Sequence, residues 1–271
     1  MKRFYEIDTV RGIAIILMVI YHFFFTLEFF GMLEASSIMF LHYSGRILGG
    51  VFILLVGVSL NISYSRVKKR SSKENIKKYT KRGLDIFLWG FLIILIVKTF
   101  VGQFPTFNIL NLIGLSIIFA YPFLKLQRTN LVMGIILTIT GIIISQIHIP
   151  FEWLALIGFK SGNYYFFGGN FPILPWFGIV LLGIYIGKKL YPNGKRAFKI
   201  SEKENILIKL FSIAGRNSLF IFLVHIPINL IILNKMDMIQ TLSFLAASII
   251  YLMGHNQNLK TKALKSLKEN I

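Results

Sequence analysis

Eight stretches of about 20 mostly apolar residues follow one another along this chain, near 10–31, 38–62, 83–103, 106–124, 130–148, 171–190, 214–234 and 236–254. Each is about the length at which a helix crosses the hydrocarbon core of a bilayer. Only helices and closed barrels satisfy every backbone donor and acceptor in hydrocarbon. The pattern therefore predicts an all-α integral membrane protein, a polytopic bundle of about eight transmembrane helices. Mean hydropathy is +0.68 and charged residues make up only 15% of the 271, so no stretch remains that could form a separate soluble domain of ordinary size.

The net charge of +19 follows the same division. Nine basic residues crowd into 66–82, between two apolar runs, and short loops of this kind stay on the cytoplasmic side. With that loop inside, the amino terminus, the Lys125/Arg128 turn, the 188–209 segment and the tail with Lys260, Lys262, Lys265 and Lys268 also fall inside. Both termini are expected in the cytoplasm, with 1–255 as a single membrane domain, 256–271 as a basic tail, and the plasma membrane as the location. A charge that tracks topology argues against a nucleic-acid partner and for membrane lipids. The first apolar run is long and lacks a small-residue cleavage site, which predicts a retained span rather than a signal peptide. Cysteine is absent, which removes disulfides, thiolate metal sites and a cysteine nucleophile. No metal is expected.

Against this apolar background the ionisable residues stand out. His22 lies deep in the first run, and Asp8 and Arg11 precede it at close to whole helical turns, so all three share one face. In the second run His42 and Arg46 are one turn apart. Counting rise from the ends of the two runs puts His22 and Arg46 at one level, roughly 12–14 Å below the outer surface. The seventh run carries Arg216, Asn217 and Ser218 near its inner end and His225 beside Pro227 near its middle. Ser218 and His225 share a face. Asp85 lies near the inner end of the third run, and Asn108 and Asn111 lie in the fourth. Each could serve only to bridge helices. Several at intermediate depth, each costing about 2.5–3.5 kcal/mol to insert, point instead to a functional cavity.

The residues Asp8, Arg11, Gly12, Ala14 and Met18 form a D-x-x-R-G-x-A-x-x-x-M pattern that resembles the first helix of the heparan-α-glucosaminide N-acetyltransferase catalytic-domain-like family. The histidine that follows, His22, is similar to that of the related type 3 membrane acyltransferases. Further stretches agree in order: Phe52 to Ser59 with Gly57, Phe107 to Gly114 with Asn111, Phe171 to Gly183 with Pro175, Trp176 and Gly178, and Ala214 to Pro227 with Arg216, Ser218 and His225. Asn111 stands where the prokaryotic pattern carries a histidine.

The resemblance implies transfer of an acetyl or other acyl group from cytoplasmic acyl-CoA to a hydroxyl or amine of a glycan or small-molecule acceptor at the opposite face. Imidazole, with a pKa near neutrality, suits the base or acyl relay of such a reaction. On this reading His22 is that base or acyl relay, Arg46 stabilises charge developing on the carbonyl oxygen, and His225 is a second candidate base. Asp8, Arg11, Arg82, Arg216 and Ser218 form the inner mouth for the acyl-CoA, its phosphates held by the arginines. Two rivals remain at this stage: a transporter or flippase that uses the histidines for proton coupling, and a scaffold. Assembly into a homo-oligomer is left open. Residues 149–170, rich in aromatic side chains, read as an interfacial belt or a lid, and 203–213 as an amphipathic helix along the inner surface.

Overall fold

A computed structural model describes residues 4–34, 39–67, 71–101, 107–160, 170–200 and 205–232. They form eight α-helices: α1 (Tyr5–Phe29), α2 (Met39–Val67), α3 (Ser72–Val101), α4 (Ile109–Phe119), α5 (Arg128–Ile144), α6 (Ile173–Leu190), α7 (Ile206–Arg216) and α8 (Ser218–Ile232). Among the described residues there is no β-strand, only an isolated bridge between His148 and Lys160.

Among the described residues, three helical segments are long and apolar enough to cross a membrane: Tyr5–Phe29, Tyr43–Val67 and Ile173–Leu190. The first six expected runs each overlie one helix, α1 to α6, and these helices are of unequal length. At about 1.5 Å per residue, α4 reaches only about 16 Å, because Pro122 opens a short 3-10 turn, Pro122–Lys125, immediately after it. The described part of the basic 66–82 segment is mostly helical: Arg66 and Val67 finish α2, and from Ser72 onward it is the amphipathic start of α3. Helix-forming Lys and Glu residues there extend the helix well before hydropathy rises. The seventh run divides at Asn217 into α7 and α8. The eighth run, 236–254, and the tail, 256–271, lie outside the described residues.

The chain forms two compact units, Met1–Arg216 and Asn217–Ile271. In the first, the outward side chains are aliphatic: Val10, Ile13, Leu17 and Ile20 on α1, and Val132, Ile135, Ile136, Ile139, Ile142 and Ile143 on α5. Apolar surface on this scale is what a lipid solvent requires.

Without a hydrophobic drive between helices in lipid, close backbone approach over small residues takes its place. The four most extensive helix contacts, α2 with α6, α1 with α7, α5 with α6 and α3 with α4, each cross at a pair of glycines. These pairs are Gly57 with Gly183, Gly12 with Gly215, Gly134 with Gly178, and Gly83 with Gly114, and a Cβ on any of the eight would collide with the facing helix. Gly12, Gly57, Gly114, Gly178 and Gly183 of these crossings fall within the stretches that resemble the acetyltransferase family.

Where α1, α2 and the end of α6 meet, Ile7, Leu55, Val58, Ile62 and Tyr191 form a buried cluster covered by Phe4 and Ile186. A clamp closes over it. Arg196 Nε and Nη2 each donate to the Glu6 carboxylate at 2.7 Å, and the Tyr191 hydroxyl donates to it at 3.0 Å. The Arg196 guanidinium also stacks over Phe4 and Tyr5. This bidentate pair fastens the segment after α6 to the first turn of α1. The bond to Glu6 is the main reason the Arg196 pKa lies above its ordinary value. Burial first, and then the bond to Glu6, hold the Tyr191 phenol above its own.

Candidate active site

The amino-terminal half of α1 carries a buried carboxylate between two guanidinium groups. Asp8 Oδ1 is 3.4 Å from Arg11 Nη1, and Asp8 Oδ2 is 3.4 Å from Arg216 Nε. Arg11 reaches further, donating from Nη2 to the Ser59 hydroxyl of α2 at 2.6 Å, while Ser59 donates to the Leu55 carbonyl. Arg216 Nη2 donates to the Ser212 hydroxyl on its own helix at 3.3 Å. Two arginines on one aspartate leave a formal charge of +1 where α1, α2 and α7 meet. An anion would be attracted there, and guanidinium groups suit phosphate.

The backbone explains why these groups converge. Gly12 lies against the Phe211 carbonyl and Gly215 against the Asp8 carbonyl, so α1 and α7 touch main chain to main chain at the level of the cluster. Thr9 Oγ1 adds a bond to the Ile208 carbonyl. On α7 the small residues Ser212 and Gly215 are buried against α1, and Ile206, Leu207, Leu210 and Ile213 face outward. α7 overlaps the amphipathic segment expected at 203–213, with its small residues toward α1 and its apolar side outward.

His22 is half-buried on the same face of α1 as Arg11. Its Nδ1–H donates to the Met18 carbonyl at 2.9 Å. A carbonyl only accepts, so in the neutral ring the proton is on Nδ1 and the lone pair on Nε2. The stripe from Arg11 to His22 is not continuously polar. Ile15 and Met18 fill the same face between them and are 0% and 4% exposed, over a separation of about 16 Å along the helix.

Arg46 is exposed on α2 rather than turned into the packed interior. The Tyr21 ring, beside His22, lies against Gly45, the neighbour of Arg46. The side chain of His42 lies outside the described residues. Arg82 is exposed on α3, whose main neighbour is α4, and no described bond joins it to Asp8, Arg11 or Arg216.

In the second unit, Ser218 and His225 are both buried on one face of α8 as expected. His225 Nδ1–H donates to the Phe222 carbonyl at 2.6 Å, and the imidazole packs against the Phe222 ring. Its basic nitrogen is again Nε2.

Asn111 has a structural task. With Asn108 it forms a reciprocal cap at the start of α4, and its Nδ2 donates to the Phe87 carbonyl at 3.0 Å while the residue packs on Gly90. Asn108 donates to the Gly90 carbonyl at 2.7 Å. Among the described residues no group of three or more His, Cys, Asp or Glu side chains could hold a metal ion. In the 149–170 segment a 3-10 turn, Glu152–Leu156, exposes Trp153 beside Phe151; residues 161–169 lie outside the described set.

Residues 3–227 match the family model described as heparan-alpha-glucosaminide N-acetyltransferase, catalytic. No curated protein and no solved structure matches the chain.

Proposed function

Because this chain belongs to the heparan-alpha-glucosaminide N-acetyltransferase catalytic family, we propose that it moves an acetyl or other acyl group from cytoplasmic acyl-CoA to a hydroxyl or amine of a glycan or similar acceptor at the outer face of the plasma membrane. The observation that carries this reading is the net-positive cluster of Asp8, Arg11 and Arg216 on the same helix face as an imidazole with Nε2 as its basic atom.

Arg11 and Arg216 bind the phosphates of the donor, and Asp8 fixes both guanidinium groups in place through its two oxygens. Ser59 orients Arg11 from the neighbouring helix. The gap of about 16 Å between Arg11 and His22 suits a donor with a long flexible arm, its charged end held at the arginines and its thioester delivered near the histidine. Ile15 and Met18, packed between the two, keep water from following.

At the far end His22 Nε2 takes the proton of the acceptor hydroxyl or amine as that group attacks the thioester carbonyl; the thiol departs with a proton, and the acyl group stays on the acceptor. Arg46, expected from helix rise at the level of His22, opposes the negative charge that develops on the carbonyl oxygen. His225 is a second base, and Ser218 and Arg82 are further groups for the donor.

The test is transfer of label from acetyl-CoA to sugar acceptors by the purified protein in lipid nanodiscs. Acylated sugar that forms only with intact protein supports the reading. Absence of both transfer and CoA binding, together with pH-driven substrate uptake in proteoliposomes, would replace it with transport.

A further inference from the structure

At the basic end of the first unit lies a pocket of about 750 Å³ that the acyl-transfer reading leaves unused. It opens between the end of α2, the start of α3, the turn joining α4 to α5 and the end of α6. Asn61, Tyr64, Asn75, Tyr121, Lys125 and Lys188 are among its walls; among the described residues that line it, Leu124 and Pro192 are the aliphatic ones and none is acidic.

The pocket is distinct from the Asp8 cluster. Ser59, which holds Arg11, and Asn61, which lines the pocket, are two residues apart on α2 and so point to nearly opposite sides of it. Asn61 packs instead toward Gly187 of α6.

Asn61 is also the observation that asks for a ligand. It is 2% exposed, and its Nδ2 has no hydrogen-bond partner. A buried amide donor left unmade costs about 1–3 kcal/mol, and its pocket setting is where an acceptor would repay that cost. Around it, amides and tyrosine hydroxyls offer the directional donors and acceptors that read hydroxyl groups. Lys125 and Lys188 supply positive charge at the turn.

From this chemistry we propose that the pocket binds a phosphorylated polyol, either free or as the headgroup of a glycerophospholipid. The lysines take the phosphate, and Asn61 Nδ2 donates to an oxygen of the polyol.

The test uses the full chain in nanodiscs and does not depend on acyl transfer. Thermal unfolding is followed with glycerol 3-phosphate in phosphatidylcholine discs, and separately in discs containing phosphatidylglycerol. Stabilisation by the soluble probe identifies a free ligand; stabilisation only by phosphatidylglycerol identifies a lipid headgroup. In either case Lys125→Glu, a change at an exposed side chain, and Asn61→Asp are each expected to weaken the effect at least 10-fold. Saturating acetyl-CoA should leave it unchanged. Stabilisation by neither probe, equal stabilisation of both variants, or displacement by acetyl-CoA would overturn the proposal, the last by making the pocket part of the donor site.

Discussion

The backbone carbonyl of Asp8 lies against Gly215, so the residue whose carboxylate bridges Arg11 and Arg216 is also the point at which α1 and α7 cross. Charge cluster and helix crossing are therefore one structure. Arg216 follows Gly215 directly, and Arg11 precedes Gly12, the other glycine of the crossing. Neither helix can shift without moving a guanidinium group.

A methyl group at that crossing has nowhere to go. Gly215→Ala or Gly12→Ala should destabilise the protein by about 1–3 kcal/mol, the usual cost of overpacking, and should weaken donor binding as well. Gly50→Ala is the control, because its Cβ would meet Trp176 at an ordinary 3.6 Å. Unfolding midpoints in detergent and the KM for acetyl-CoA check both effects. Equal tolerance of the three substitutions would show that the crossing is looser than described.

Arg11→Lys keeps the charge but loses the planar fork that reaches both Asp8 and Ser59. It should raise the KM for acyl-CoA about 10-fold, equivalent to about 1.4 kcal/mol, and change kcat little. A kcat loss at constant KM would move Arg11 from donor binding to the chemical step.

Asn111→Ala removes half of the reciprocal cap on α4 and the bond to Phe87. A cost of about 1 kcal/mol in stability is expected, with kcat unchanged once the protein is folded. A large loss of kcat at full stability would give Asn111 a part in the reaction.

Much of the helical order is legible in hydropathy. The runs near 10–31, 38–62, 130–148 and 171–190 overlie α1, α2, α5 and α6 closely, because in these helices the apolar stretch and the helix nearly coincide. Hydropathy fails where they part. It misses the charged first turns of α3, since Lys and Glu favour a helix without favouring a membrane, and it overextends α4 past the stop at Pro122. It is also silent about neighbours. The Asp8 to Arg11 spacing could be read from helix periodicity, and a common depth for His22 and Arg46 is the expectation from rise. The bond from Arg11 to Ser59 joins residues 48 apart, and the Glu6 to Arg196 pair joins residues 190 apart. The glycines were the available signal, since small residues mark close crossings in membrane helices.

The clamp on Glu6 gives the protein an alkaline limit. A phenol in the unfolded chain ionises near about pH 10, and Tyr191 in the folded chain ionises higher because of burial and its bond to the Glu6 carboxylate. With the folded value the higher, the contribution of Tyr191 is complete below about pH 10 and is lost as pH rises beyond it. Wild-type stability should therefore fall more steeply above about pH 10 than that of Tyr191→Phe. Parallel curves of unfolding midpoint against pH would contradict the clamp.

The role of His22 is the centre of the account, and it is tested most directly by steady-state transfer from labelled acetyl-CoA with His22→Ala and wild type side by side. Loss of a general base should lower kcat by about 10²–10⁴-fold while the KM for acetyl-CoA, set at the arginines, stays within about 2-fold, a difference of roughly 0.4 kcal/mol. Full kcat in His22→Ala would contradict the assignment.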